Sequence, residues 1–227
     1  YIPGARATLG LLSLPDGAAF YQHRIRMHTT LELSPEEVHE IGRREVARLR
    51  VEMEQVKTRA GFKGSLAEFM TFLQTDPRFT VETEEQYLQA VALASKRMDG
   101  ELPRLFSLVP RAPYGIRPMP ERIAIRQSAG YYDAGAANGS RAGWVNINTS
   151  DIRARPLYVV EALAFHEGVP GHHLQIMRTQ ENTALSAFRR GLGITVFTEG
   201  WGLYAERLGR EVGFFKDPYS DFGRLTY

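Results

Sequence analysis

The chain has 227 residues, 43% of them apolar, with 28 Lys and Arg against 26 Asp and Glu and no cysteine. This length fits one large domain or two small ones, and the even charge balance gives no field that would recruit nucleic acid. Without Cys there are no disulfides, thiolate metal sites or cysteine nucleophiles, so any zinc site must use His, Asp or Glu.

No run approaches the ~18 apolar residues of a membrane span. Tyr1 opens no signal peptide, and both ends read as cuts in a longer protein. Pro3-Gly4 and Pro15-Asp16-Gly17 are turn signals, and a helix can begin within residues 20–30. Ser34-Pro35-Glu36-Glu37 predicts a strong helix start: an N-cap Ser, a first-position Pro and a capping-box Glu. Val38, Ile41, Val46, Leu49, Met53 and Val56 continue it at helical spacing to about Arg59. Ser65-Leu66-Ala67-Glu68 opens a shorter helix through Leu73, and Thr83-Glu84-Glu85-Gln86 a third, expected to end near Met98 at Gly100.

Residues 103–150 change character. Five prolines between Pro103 and Pro120 argue against long helices. Residues 122–125 and 143–148 read as strands, the second with clear alternation. Helix returns over residues 157–165, mostly apolar and therefore buried, and again over residues 195–211. The expected fold class is α+β, mainly α with a small β-sheet. Residues 1–102 form a helical region. Residues 103–227 carry the sheet and two site-bearing helices, the whole reading as one continuous domain.

The chemistry concentrates in His166-Glu167-Gly168-Val169-Pro170-Gly171-His172-His173, which holds three of the six histidines. A His beside a Glu, a second His and a later acid are the parts of a catalytic zinc site. The familiar His-Glu-x-x-His spacing is absent, because Pro170 occupies the second His position. On an ideal helix His166 and His172 lie about 9 Å apart along the axis and on different faces. Pro170-Gly171 is therefore expected to break the helix and return a later His to the metal. His172 is preferred, with His173 as its rival. Glu199 is the leading third ligand and Glu167 the general base for a metal-activated water. Glu206 either orients a ligand His or makes a surface ion pair.

Other residues carry weaker readings. Tyr204 is a candidate oxyanion donor, against a core-packing alternative, and Trp201 is expected in the core. Residues 144–148 form either a cleft-edge strand that pairs with an extended peptide or an internal strand. Arg141 is a candidate clamp for a substrate carboxylate, though a solvated loop Arg is the plainer reading. His39 is expected on an exposed helix face; His23 and His28 are remote in sequence.

The segments His166 to Gln175 and Glu199 to Leu208 together resemble the bacterial DUF885 family. Thr75 to Phe79, Pro110 to Tyr114, Gly139 to Gly143 and Asp217 to Gly223 fit as well. That family has been grouped with zincin metallopeptidases of the gluzincin type. The resemblance implies a mostly helical zincin fold, with Zn²⁺ held by His166, His172 and Glu199, Glu167 as base and a peptide substrate. It also implies a longer parent protein, commonly exported or lipid-anchored, with further helices after the equivalent of Tyr227. Two other functions stay open: a noncatalytic helical module with a structural metal site, and a metal hydrolase of non-peptide amides.

Overall fold

A computed structural model describes residues 10–227; the turn expected at Pro3-Gly4 lies outside them. The described residues are mainly helical, with one three-stranded mixed sheet. Helices α1 (Gly17–Thr29), α2 (Pro35–Arg59), α3 (Leu66–Thr75) and α4 (Glu84–Leu105) come first. Strands β1 (Tyr114–Pro118), β2 (Gly130–Asp133) and β3 (Gly143–Ile147) follow, with the short α5 (Glu121–Ala124) between β1 and β2. Then come α6 (Val160–Glu167), α7 (His172–Glu181), α8 (Ala187–Gly191), α9 (Thr195–Glu211) and α10 (Pro218–Thr226).

All three expected capping boxes form. Ser34, Ser65 and Thr83 each accept an N–H from the third helical residue, whose side chain accepts the cap N–H in return. These reciprocal bonds satisfy two orphan donors at each helix start. α2 is long but buries only Val56. Its last turns join α3, Phe79 and α10 in a small core built on Phe69, Leu73 and Phe222.

The main core forms around α6. Val160, Ala162, Leu163, Ala164 and Phe165 are all buried, so apart from Glu161 the helix is apolar around its axis until it reaches His166 and Glu167, as suits a core helix. α4, α9, α10 and β2 pack around it. α4 offers Tyr87, Val91, Ala94, Met98 and Leu102 at helical spacing. It runs to Leu105 and does not stop at Gly100 as the sequence suggested. A mid-helix Gly costs about 1 kcal/mol, and burial of Leu102, with Leu105 and Phe106 packed on the core, outweighs it.

The sheet order is β1-β3-β2, with β1 parallel and β2 antiparallel to β3. β3 is therefore the internal strand, and the cleft-edge reading of residues 144–148 falls. The strand expected at residues 122–125 is instead a helical turn. The Pro120 carbonyl accepts from Ile123 and Ala124 N–H, and Ile125 is left exposed. The outer strands are β1, which contains Pro118, and the four-residue β2. Val145 and Ile147 face the core with Leu163, which lays α6 across the sheet.

Candidate metal centre

α6 ends at Glu167 and α7 begins at His172, so the four residues 168–171 form a break between two helices. Glycine is required at its end. A Cβ on Gly171 would lie 1.9 Å from the His166 carbonyl oxygen and 2.3 Å from that of Phe165. The backbone thus folds directly onto the end of α6, where no side chain fits. The His173 N–H donates to the Gly168 carbonyl at 3.0 Å, tying the new helix to the break. From α9, the Trp201 indole N–H donates to the Pro170 carbonyl at 2.8 Å. The break turns His172 back toward His166, and their rings meet edge to face at 4.7 Å.

α9 crosses α6 at Gly202, where a Cβ would stand 2.6 Å from the His166 ring. That crossing brings Glu199, one turn earlier, beside both imidazoles. Glu199 Oε2 lies 3.4 Å from His166 Nε2 and 3.7 Å from His172 Nε2. The three donor atoms fall within 4.8 Å of one another. Ligands at about 2.1 Å around a tetrahedral ion stand about 3.4 Å apart, so this spacing suits a metal. The histidines are buried while the Glu199 side chain is 56% exposed, so the group opens to solvent on one side.

Each neighbouring group is placed by what it bonds. His166 Nδ1 lies 2.8 Å from Glu206 Oε1, and Glu206 is only 2% exposed. Glu206 is therefore no surface ion-pair partner: it accepts the Nδ1 proton and leaves Nε2 free to face Glu199. His173, by contrast, uses both nitrogens elsewhere. Tyr132 Oη lies 2.8 Å from its Nδ1 and the Ala112 carbonyl 3.1 Å from its Nε2. Burial lowers its pKa to about 4, so it is neutral, donating from Nε2 to Ala112 and accepting from Tyr132. It joins α7 to β2 and the entrance of β1 and stays outside the three-residue group.

Glu167 is 5% exposed, and its Oε2 has no hydrogen-bond partner. It lies beneath β2 against Gly130, where an added Cβ would meet its Cγ at an ordinary contact distance of 3.5 Å. Burial raises its pKa to about 7, with Glu199 and Glu206 pushing the same way and His166 opposing. For His166, burial disfavours the charged form, but the Glu206 hydrogen bond and three carboxylates reverse this and raise the pKa. For His172, burial and then the charge of His166 lower it. His172 Nδ1 is buried without a partner, unlike that of His166.

Tyr204 is half exposed, with its ring edge-on to Trp201 at 5.8 Å. Five residues place it about 140° round the helix from Glu199. His28 Nδ1 bonds Thr195 Oγ1 at 2.8 Å, at the start of α9. Arg141, His23 and His39 are exposed. The sequence reading did not anticipate Gly202, the Trp201 hydrogen bond or Tyr227, whose ring lies 5.6 Å from that of His166.

A family profile described as bacterial protein of unknown function (DUF885) matches residues 1–227. Among solved structures, a Colwellia psychrerythraea protein described provisionally as a lipoprotein matches with a TM-score of 0.92 and 32% sequence identity. The match covers 97% of this chain but 39% of that one. A search of curated protein sequences finds no match. No helix among the described residues is long and apolar enough to cross a membrane.

Proposed function

The chain belongs to the DUF885 family, and from the geometry of its site we propose that it carries the catalytic centre of a zinc-dependent peptidase. One observation carries the reading. Two imidazole nitrogens and a carboxylate oxygen stand at ligand-to-ligand spacing beside a buried carboxylate with an unpartnered oxygen. Two His and one carboxylate form a donor set that suits Zn²⁺ and leaves a fourth position open. His166, His172 and Glu199 would hold the ion. When bound, zinc would supply Lewis acidity, activating a water and polarising the carbonyl of the scissile bond.

Glu167 moves the proton. It takes one from the attacking water as the new C–O bond forms and delivers it to the amine nitrogen as the C–N bond breaks. Burial, chiefly, holds its carboxyl up to about 7, and a cation beside it would draw that down toward the ionised form a base needs. Glu206 holds the His166 ring in the tautomer that presents Nε2. Tyr204 is given no step. The relative's provisional description as a lipoprotein supports an exported complete protein.

The test is Glu167→Gln in the complete protein. Zinc content should stay near that of the parent, because Glu167 is not a ligand. Hydrolysis of a peptide library should fall by roughly 10²–10⁴-fold. Normal hydrolysis by the variant would remove Glu167 from the mechanism. A parent that binds zinc but cleaves no peptide would be a noncatalytic module, unless it cleaves other amides.

A further inference from the structure

Beyond Glu199 and Glu206, α9 presents two arginines to a cleft of about 550 Å³. Leu203, Glu206, Arg207 and Arg210 form one wall; Arg48 of α2 and Arg224 and Tyr227 at the chain's end help to form the others. Glu206 and Tyr227 belong to both places: Glu206 bonds His166, and the Tyr227 ring packs against it. The cleft therefore adjoins the candidate metal centre.

Its four guanidinium groups are not equivalent. Arg48 is paired with Glu45 and Glu52. Arg224 is held by Asp221 at 2.8 Å and lies over the Phe215 ring. Arg207 and Arg210 are exposed and make no ion pair among the described residues. Of the acids around them, Glu206 is buried and turned toward His166, Glu45 and Glu52 in the same cleft are paired with Arg48, and Glu211 at the end of α9 is exposed and forms no ion pair with either. Arg210 acts on Asp221 through its charge alone, so two planar forks one turn apart are left without an ion pair, and they suit a carboxylate, which guanidinium binds through paired N–H donors.

We propose that Arg207 and Arg210 form the subsite for a substrate carboxylate, on the far side of Glu206 from Glu199. The inference rests on the peptidase reading and adds a substrate class: peptides with a free carboxylate on one side of the scissile bond. α9 sets the spacing. Arg207 and Arg210 lie eight and eleven residues past Glu199, about 12 and 16 Å along the helix. An extended peptide advances about 3.3–3.6 Å per residue. The recognised carboxylate thus lies about four residues from the bond cleaved. It can come from the peptide's C-terminus or from an Asp or Glu side chain at that distance.

Binding can be measured without turnover, by calorimetry on the zinc-loaded Glu167→Gln form of the complete protein. Matched peptides would carry either a free or an amidated C-terminus; a second amidated pair would carry Glu or Gln at the fourth position past the cleaved bond. The carboxylate form should bind about tenfold more tightly in at least one pair, a modest gain because the site is exposed. The pair showing the gain identifies the source. Arg207→Gln with Arg210→Gln should erase it while leaving amide affinity, zinc content and melting temperature unchanged; each single variant should erase part. Equal affinities throughout, or a preference that survives the double variant, would overturn the subsite. A carboxylate preference without hydrolysis by the unmutated protein would sink the peptidase reading alone. Hydrolysis without a preference would sink only the subsite.

Discussion

His166 Nδ1 and Glu206 Oε1 lie 2.8 Å apart in the interior, and that single bond decides which imidazole nitrogen faces Glu199. Removing the acceptor frees the ring to change tautomer and leaves a buried N–H unpaired. Glu206→Ala should weaken zinc binding by about 10–100-fold, the usual cost of losing a partner that orients a ligand. Competition with a chromophoric chelator would measure it. Unchanged affinity would mean that packing alone fixes the ring, with Gly202 the first suspect.

The two adjacent histidines should separate cleanly. His172→Ala removes one of three donors and should abolish stoichiometric zinc binding. His173→Gln should keep zinc near one per chain, because both His173 nitrogens serve Tyr132 and Ala112. It should still lower stability by about 1–3 kcal/mol, since buried polar partners lose their bonds. Metal analysis beside denaturant unfolding reads both. Loss of zinc from His173→Gln with His172→Ala still loaded would reverse the assignment.

Local chemistry makes much of this fold legible in the sequence. Capping boxes at Ser34, Ser65 and Thr83 are decided by residues three apart, and alternation around Val145 is decided within β3. The outer strands were not legible. β1 contains a proline and β2 has four residues, and both are strands only because β3 lies beside them. Ile123 and Ile125 suggested a strand that no neighbour supplies. The site divides the same way. The Pro170-Gly171 break followed from helix geometry, while the engagement of His173 by Tyr132 depends on a contact 41 residues distant. Gly202 left no distinct trace: Gly200 on the same helix reads alike in the sequence, yet nothing lies within 4 Å of a Cβ there.

Asp221 should make stability depend on acidity. Burial by itself raises its pKa, but hydrogen bonds from Arg59 and Arg224 outweigh that and hold it below the ordinary 3.8. A carboxylate with a depressed folded-state pKa stabilises above the unfolded-state value and loses that contribution as pH falls through the folded one. Asp221→Asn should therefore cost about 1–3 kcal/mol near pH 7, with the difference from the parent shrinking as pH falls below the ordinary 3.8 and through the lower folded-state value. Urea unfolding at several pH values would follow it. A difference that stays constant with pH would mean that shape, not charge, is what Asp221 contributes.

The two glycines flanking Trp201 provide a matched pair on one helix. Around Gly200 nothing lies within 4 Å of an added Cβ, so Gly200→Ala should gain up to about 1 kcal/mol of helix propensity and keep zinc. At Gly202 the same methyl would stand 2.6 Å from His166 Cε1 and 2.7 Å from Nε2. The ring cannot retreat freely, because Glu206 holds its other side. α9 must then lift from α6, or His166 must leave its bond. Either movement carries the overpacking cost of about 1–3 kcal/mol and separates His166 Nε2 from Glu199. Gly202→Ala should lose both stability and zinc affinity while Gly200→Ala loses neither, measured by thermal unfolding with and without a chelator. If Gly202→Ala binds zinc as the parent does, the helix crossing does not set the ligand geometry, and the break at residues 168–171 must set it alone.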